Sequence, residues 1–346
     1  MAGGIGVVAS KRFLLHEPDE YHIEHPMRLS AIHRVLDAPP WHSRLRRTML
    51  QEATIEQLST THDIDYINEV AGRSAAGKGY INPDTYINEH SYRLACLAAG
   101  SCIALADSIV AQEVESGIAF VRPPGHHAER NQAKGFCLFN NLAVTAHHLL
   151  WRHGLERILI VDWDLHHGNG TQDAFYGDDR VLFFSTHQFP FFPGSGWVSE
   201  IGTGKGMGFT INVPFAADQG NRSYLTAFED LLIPVAERFA PQFILVSHGF
   251  DILEHDPIGS MRVSIGGLIA MLHALRSLAR RSCQGRLQLI LEGGYDLRNL
   301  REGTRAMLEY LCDDVRPAVQ LNDHEPGQAM VRQARTILRD YWPVLE

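Results

Sequence analysis

The sequence predicts an α/β protein with a central, mostly parallel sheet flanked by helices. Short apolar runs alternate along the chain with longer segments in which apolar residues recur at helical spacing. Four of the short runs end on polar clusters that contain histidine, acidic residues or tyrosine. Ligands of open α/β sheets bind at the carboxyl ends of the strands, so these clusters predict a functional site there.

The same periodicity places the individual elements. We predict strands at 5–9, 118–121, 158–162, 182–185, 209–213, 243–247 and 287–291. We predict helices at 91–110, 141–151, 224–239 and 264–279. The glycine-rich segment 202–208 precedes a strand instead of following one, so we predict a loop and not a dinucleotide-binding turn.

Composition narrows the class of protein. The 346 residues contain no linker, repeat or low-complexity tract, so we predict a single domain over residues 1–346. A formal net charge of −9 argues against direct nucleic-acid binding, and five cysteines without C-x-x-C spacing argue against a thiolate zinc site. Because we find no signal peptide and no apolar run near about 18 residues, we expect no membrane association and a cytoplasmic location.

The segment 162–170, Asp-Trp-Asp-Leu-His-His-Gly-Asn-Gly, carries the strongest chemical signal. Strand-like alternation puts Asp162, Asp164 and His166 on one face. Neighbouring carboxylates repel each other and resist burial, and the segment contains no lysine or arginine to pair with them. A bound cation is the favoured interpretation, and capping or surface residues are the alternative.

Three further strand ends carry matching chemistry. The turn 122–127, Arg-Pro-Pro-Gly-His-His, presents His126 and His127. Asp251 follows the apolar run 243–250. Two glycines follow the run 287–291 and permit close approach of the backbone to neighbouring groups. They leave the hydroxyl of Tyr295 exposed. An isolated histidine pair is more often simply packed in a turn. Because four strands each end on such a polar cluster, we favour the interpretation that the clusters form one site.

These motifs together resemble the zinc-dependent histone deacetylases and their bacterial relatives, the histone-deacetylase-like amidohydrolases and the acetylpolyamine amidohydrolases. The matching segments cover nearly the whole chain and are 25–26, 84–85, 122–127, 135–141, 162–172, 212–214, 249–251 and 292–295. Asn169 stands where class I enzymes carry aspartate, so the chain resembles the class II branch. The resemblance implies an arginase-like α/β fold.

Asp164, His166 and Asp251 then form the candidate metal site. Two oxygens and one nitrogen leave a position open for water and a substrate carbonyl, as in catalytic zinc sites. We predict one Zn²⁺ per chain, although ferrous iron or cobalt would suit the same ligands. A pair of manganese ions, as in arginase, would require bridging carboxylates that these motifs do not supply.

The resemblance also implies two histidine pairs, which are His126 with Asp162 and His127 with Asn169. A carboxylate favours a charged imidazole more than a neutral amide does, so the two pKa values should be separated. We predict that His127 is the general base acting on metal-activated water and that His126 orients and supports it. Tyr295 is predicted to donate a hydrogen bond to the oxyanion, so no covalent intermediate is required.

By the same resemblance, potassium is a candidate second cofactor. One ion is implied at Asp162, Asp164, His166, Ser185 and Thr186. Another is implied at Phe175, Asp178, Val181 and Phe209, mainly through carbonyl oxygens. Hard oxygen ligands suit such ions, and ordinary strand-end hydrogen bonding is the alternative.

Substrate-binding residues are implied on loops around the site. Phe136 and Phe192 would wall a tunnel for an extended acyl-lysine stem, and Gly135 would keep its loop tight. Ile258 would give the tunnel rim an apolar side chain. Arg28 resembles the arginine that lines an acetate-exit channel, and an exposed arginine at a helix start is the alternative.

Two features depart from the family pattern or go beyond it. Relatives usually carry a small residue before Gly-Phe-Asp, and we expect His248 at this position to pack behind the site instead of serving as a fourth ligand. The opening loop 16–24 contains four acidic residues. We expect it to border the mouth of the site and attract cations, with a solvated turn as the alternative.

The predicted function is zinc-dependent hydrolysis of N-acyl-lysine side chains, with an acylated peptide, protein or related amine as substrate. The alternatives are an acetylpolyamine amidohydrolase and a catalytically silent acyl-lysine-binding module. The complete histidine pair and Tyr295 argue against a silent module. Ile258 lacks the carboxylate that a polyamine enzyme needs for a distal ammonium group. A homo-oligomer is compatible with the sequence.

Overall fold

Strands and helices alternate along most of the chain in the computed structural model, which describes residues 4–77, 79–321 and 327–346. The strands are β1 (Gly6–Ala9), β2 (Arg46–Arg47), β3 (Gly79–Asn82), β4 (Thr85–Ile87), β5 (Gly117–Phe120), β6 (Ile158–Asp162), β7 (Val181–Gln188), β8 (Thr210–Phe215), β9 (Phe243–His248) and β10 (Leu287–Leu291). The helices are α1 (Met27–Leu36), α2 (Trp41–Arg44), α3 (Ile55–Leu58), α4 (Ile64–Ala75), α5 (Ser91–Val110), α6 (Asn141–Arg152), α7 (Asn169–Phe175), α8 (Asn221–Ala227), α9 (Ile233–Phe239), α10 (Ile265–Ser282), α11 (Leu297–Asp313) and α12 (Gly327–Leu338).

Eight strands form one sheet in the order β2-β1-β5-β10-β9-β6-β7-β8, and every neighbouring pair is parallel. Every residue of β5, β6, β9 and β10 is buried, so helices must cover both faces of the sheet. Helices α5 and α6 pack against each other and against the sheet, and α10 packs on β9 and β10. The predicted α/β class with a parallel sheet flanked by helices is confirmed.

Helix α5 is, within the described residues, the helix whose length and composition would also suit a membrane crossing. Its apolar window has a mean hydropathy of 1.6, although Arg93 and Asp107 interrupt the apolar sequence. Within the protein 72% of that window is buried, and the helix packs on β1, β5 and β10. Such burial is typical of the core helix of an α/β protein.

The predicted helix 224–239 is interrupted. It is observed as α8, a π-helical turn at Phe228–Leu232 and then α9. Pro234 lies in the first turn of α9, where it has no N–H to donate and its ring crowds the preceding turn. A π turn accommodates that disruption without ending the helix. The glycine-rich segment is a loop with a short 3₁₀ turn at Gly204–Gly206, as predicted.

The short strands β2, β3 and β4 were not predicted. Strand β2 contains two exposed arginines at the sheet edge, and β3 and β4 form a separate antiparallel hairpin. Strand β2 is exposed and β3 is at most partly buried, and the three buried residues of β4 are too short a run to predict a strand. Within the described residues, a second hydrophobic cluster lies around α3, α4 and this hairpin, and it includes Leu58, Ile67, Ile87 and Phe139.

Candidate active site

The four strands that carry the polar motifs are neighbours in the sheet, in the order β5, β10, β9 and β6. Because they are parallel, their carboxyl ends lie along one edge. Asp162 is the last residue of β6, Asp251 follows β9, and Glu292 directly follows β10. The sheet order therefore brings together side chains that are far apart in the sequence.

The predicted metal ligands Asp164, His166 and Asp251 form a buried cluster in which the ligand atoms all lie within 4.8 Å of one another. Nδ1 of His166 is 3.1 Å from Oδ1 of Asp164 and 3.6 Å from Oδ2 of Asp251. That Oδ2 atom is buried and has no hydrogen-bond partner among the described residues. A buried carboxylate oxygen without a partner is costly, and a cation at this point would satisfy it.

Two glycines leave room for these carboxylates. A Cβ atom at Gly249 or Gly293 would collide with the carboxylates of Asp164 and Asp251. The backbone N–H of Gly293 instead donates to Oδ2 of Asp164 at 2.8 Å. The close backbone approach predicted for the Glu-Gly-Gly-Tyr segment is therefore observed.

His126 lies between two carboxylates. Its Nδ1 is 3.0 Å from Oδ2 of Asp162, and its Nε2 is 3.7 Å from Oδ1 of Asp164. Burial lowers the pKa of His126, but the two carboxylates outweigh it and raise this pKa to about 10. Glu292 accepts hydrogen bonds from the backbone N–H groups of Gly125 at 2.7 Å and His126 at 3.2 Å, which fixes the turn. The ring is therefore held as a cation.

His127 has the opposite electrostatic environment. The amide nitrogen of Asn169 donates to Oε1 of Glu129 at 2.7 Å, so its oxygen faces Nδ1 of His127 at 2.8 Å. Since that oxygen only accepts, Nδ1 carries the proton and Nε2 keeps its lone pair. Burial and the positive charge of His126 hold the pKa of His127 well below its ordinary value. The two histidine pKa values are separated in the expected direction.

A cavity of about 240 Å³ opens beside the histidines. Its lining residues are Asp84, Pro124, His126, His127, Gly135, Phe136, Asp164, His166, Phe191, Phe192, Ile258, Gly293 and Tyr295. The four residues predicted to bind substrate are all among them. The cavity joins a largely apolar entrance to the cluster of ionisable groups.

Phe136 and Phe192 form part of the cavity wall. The ring centroid of Phe192 is 5.1 Å from that of His127, and the ring centroid of Phe136 is 6.2 Å from that of Tyr295. Phe136 adopts a φ of 70°, in the left-handed region that disfavours residues with a side chain. Its backbone N–H donates to Oγ1 of Thr85 at 3.1 Å, which helps to hold this conformation.

Tyr295 lies against Arg28. The guanidinium carbon is 4.7 Å from the centroid of the tyrosine ring, and Arg28 donates to Glu24 at 2.7 Å and to the carbonyl of Gly294 at 2.6 Å. Arg28 is buried, so the alternative of an exposed arginine at a helix start is wrong. Burial raises the pKa of Tyr295 well above its ordinary value, although Arg28 opposes this. The hydroxyl therefore keeps its proton.

Several residues that shape the cavity were not predicted from the sequence. Phe191 stacks on His166 with a centroid distance of 5.4 Å, and its only sequence signal is its position beside Phe192. Asp256 accepts hydrogen bonds from the N–H groups of Tyr295 at 2.7 Å and Ile258 at 3.1 Å. Asp256 thus links Tyr295 to Ile258 at the tunnel rim. No local sequence pattern predicts this contact.

The residues proposed for potassium lie around β6, α7 and β7, except Phe209, which directly precedes β8. Oγ1 of Thr186 is buried without a hydrogen-bond partner among the described residues, whereas Oγ of Ser185 lies 2.9 Å from Nδ1 of His187. The carbonyls of Phe175 and Asp178 each accept one backbone hydrogen bond, at 3.0 and 3.4 Å. A carbonyl oxygen has two lone pairs, so each of these keeps capacity for a cation.

His248 packs behind the site, as expected. It is buried at the end of β9, and its Nδ1 accepts a hydrogen bond from Nε1 of Trp163 at 2.8 Å. Burial lowers the pKa of His248 to about 3, so the ring is neutral. It does not belong to the cluster formed by the three metal-ligand candidates.

The expectation of four acidic residues at the mouth is wrong for Glu24. Glu24 is buried. Its Oε1 accepts a hydrogen bond from Nη1 of Arg28 at 2.7 Å, and its Oε2 accepts one from Nη2 of Arg122 at 2.6 Å. Two buried arginines require a counter-charge, which explains the inward position of this carboxylate. The loop itself does reach the mouth, since the ring of His22 lies 4.8 Å from that of Phe136.

Comparison with known proteins identifies the family. A family model described as the histone deacetylase domain matches residues 22–311. A protein named "Probable deacetylase" from Archaeoglobus fulgidus is 40% identical over 294 residues, which cover 84% of this chain and 81% of that protein. "Polyamine deacetylase HDAC10" of Homo sapiens is 36% identical over 348 residues, which cover 96% of this chain but 51% of the human protein. The crystal structure of the HDA15 HD domain matches with a TM-score of 0.92 and 37% identity, covering 99% of this chain and 96% of that one.

These matches first define the class, a hydrolase with the arginase and deacetylase type of α/β fold. More specifically, the chain belongs to the histone deacetylase family, whose members hydrolyse acetylated amides.

Proposed function

We propose that this protein is a zinc-dependent deacylase of N-acyl-lysine side chains. The observation that carries the proposal is Oδ2 of Asp251, which is buried without a hydrogen-bond partner among the described residues. It lies in one cluster with Asp164 and His166, and these two residues line the cavity that also contains the neutral His127. A cation in this cluster and a base beside it are the two elements that hydrolysis of an unactivated amide requires.

The residues fit zinc. Asp164, His166 and Asp251 offer two carboxylate oxygens and one imidazole nitrogen, a donor set used in catalytic zinc sites with an open position. When bound there, zinc would polarise the substrate carbonyl and make the attacking water more acidic. One ion per chain is proposed for this cluster.

The histidine pair divides the proton transfers. His127 is neutral with an unprotonated Nε2, so it accepts a proton from the attacking water and later gives it to the leaving amine. His126 stays protonated between Asp162 and Asp164 and adds positive charge near the developing anion. Asn169 acts through His127, because it fixes which ring nitrogen carries the proton.

Tyr295 completes the site by donating a hydrogen bond to the oxygen of the tetrahedral intermediate. Its hydroxyl stays protonated and its ring is held against Arg28. A donor that strengthens its interaction as charge develops lowers the barrier to reaction rather than the free energy of substrate binding.

The cavity walls favour a lysine stem as the substrate. Phe136, Phe192 and Ile258 offer apolar contact along the entrance, which suits four methylene groups. A second candidate, an acetylpolyamine amidohydrolase, is favoured by one observation, the carboxylate of Asp84 in the same wall. Asp84 already accepts from Oγ1 of Thr85 at 2.6 Å, so we rank it second as an ammonium anchor.

A direct comparison of substrates tests this ranking. We expect a higher kcat/KM for an acetyl-lysine peptide than for N-acetylputrescine at equal ionic strength, and an Asp84→Asn variant should keep that order. A preference for the polyamine that Asp84→Asn removes would establish the second candidate instead. Binding of both substrates without hydrolysis would show a silent acyl-lysine-binding module.

The remaining assignments are also proposals. Potassium ions are proposed beside the cluster, where Thr186 has spare acceptor capacity, and at the carbonyls after α7. Residues 1–346 are proposed to form a single domain. A cytoplasmic location and a homo-oligomer stay predictions from the sequence, as does the absence of nucleic-acid and membrane partners.

A further inference from the structure

A second cluster of metal-binding side chains lies outside the catalytic cavity. It comprises Asp107 on α5, His148 on α6 and His153, the residue that caps the end of α6. Their ligand atoms all lie within 4.8 Å of one another. None of the three lines the catalytic cavity. Neither the family resemblance nor the proposed mechanism gives this cluster a role.

Both imidazoles point to the same carboxylate oxygen. Nε2 of His148 is 2.8 Å and Nε2 of His153 is 2.6 Å from Oδ1 of Asp107. The two ring centroids are 5.4 Å apart with an interplanar angle of 71°. Ligand atoms around a tetrahedral zinc ion lie about 3.3 Å apart, so small side-chain rotations that widen each contact by about 0.6 Å would admit an ion.

The surroundings favour a cation that exchanges with solvent. The side chains of Asp107, His148 and His153 are 43%, 12% and 24% exposed, so an ion can enter and keep water ligands. The cluster lies near the carboxyl-terminal ends of α5 and α6, which carry partial negative charge.

We propose that Asp107, His148 and His153 bind one divalent transition-metal ion, such as Zn²⁺, with water in the remaining positions. Two imidazole nitrogens and one carboxylate oxygen are ligands that such ions prefer. The ion would take the place of the two shared protons and connect the ends of α5 and α6. Without an ion, the same residues make only hydrogen bonds between histidine and aspartate.

The test is zinc stoichiometry of the full chain after equilibrium dialysis against buffered Zn²⁺, measured by mass spectrometry. The wild-type protein should hold one ion more than His153→Ala, and the affinity for that ion should fall at least about tenfold in His148→Ala. The matched control is His42→Ala, which removes an exposed histidine from α2 and should bind as much zinc as the wild type. Deacylase activity should stay within about twofold of wild type in all three variants.

The readout is a difference between variants, so it does not depend on how many ions the catalytic cluster holds. Asp107→Asn keeps the shape of the side chain and should lose the same ion, which guards against a folding defect in the histidine variants. Added Zn²⁺ should raise the thermal midpoint of the wild type more than that of Asp107→Asn, because the ion binds the folded state. Equal zinc content in wild type, His153→Ala and Asp107→Asn would overturn the proposal.

Discussion

Replacing Tyr295 with phenylalanine isolates one hydroxyl group in the proposed mechanism. The ring would stay in place because Arg28 lies 4.7 Å from its centroid and the backbone N–H of residue 295 still donates to Asp256. Among the described residues, the hydroxyl has no protein hydrogen-bond partner, so its loss should cost folding no more than about 0.5 kcal/mol. The substitution therefore removes a donor to the reacting oxygen and little else.

Loss of one oxyanion donor typically costs about 2.7–4 kcal/mol, which is roughly 10²–10³ in kcat. We expect Tyr295→Phe to show that decrease in kcat with an unchanged KM and unchanged zinc content, since the hydroxyl acts mainly on the transition state. Steady-state hydrolysis of an acetyl-lysine peptide measures this, with Tyr341→Phe on the exposed surface as the matched control. Activity of Tyr295→Phe within a few fold of wild type would refute the role assigned to the hydroxyl.

Three other outcomes follow from the geometry. Asp251→Asn should keep the fold but lose at least nine-tenths of the zinc at the catalytic cluster, because an amide is a much weaker ligand; mass spectrometry showing full retention would contradict the ligand assignment. Gly135→Ala should lower the free energy of unfolding by about 1–2 kcal/mol, because φ at this position is 54° and a Cβ atom would collide with the ring of His127. An unfolding free energy equal to that of the wild type in urea would contradict this prediction. Burial lowers the pKa of His62 from about 6.5 in the unfolded chain to about 4 in the folded protein. Between these pH values the unfolded chain binds one proton more than the folded protein. The free energy of unfolding should therefore fall by about 1.4 kcal/mol per pH unit as the pH drops from roughly 6.5 towards 4. The His62→Gln variant should lose this contribution to the pH dependence of its unfolding free energy. If urea titrations give the variant the same pH dependence as the wild type, the assignment to His62 is wrong.

Much of the fold was predictable because parallel strands that are buried on both faces consist of uninterrupted apolar runs. The run at 158–162 and its counterparts gave the central strands almost to the residue. The order of β5, β10, β9 and β6 was not predictable, since it depends on contacts between distant segments. Glu292, for example, binds the N–H of Gly125, which lies 167 residues away in the sequence.

The site divides in the same way. Asp164, His166 and Asp251 could be grouped in advance because polar residues after parallel strands must meet at one edge. Glu24 could not be separated from the exposed acids of its loop, because its burial depends on a pair with Arg122, which lies 98 residues away in the sequence. Phe191 and Asp256 were also not predicted as site residues. Their roles arise from contacts with His166 and Tyr295, whose positions relative to them are determined only by the fold.

The central claim is that hydrolysis depends on a metal ion held by Asp164, His166 and Asp251. Acetate release from an acetyl-lysine peptide should be measured in the His153→Ala background, so that zinc at the second proposed site does not enter the count. We expect a chelator to abolish acetate release and added Zn²⁺ to restore it in proportion to the bound metal, up to one ion per chain. Acetate release that continues unchanged after the bound metal has been removed would contradict it.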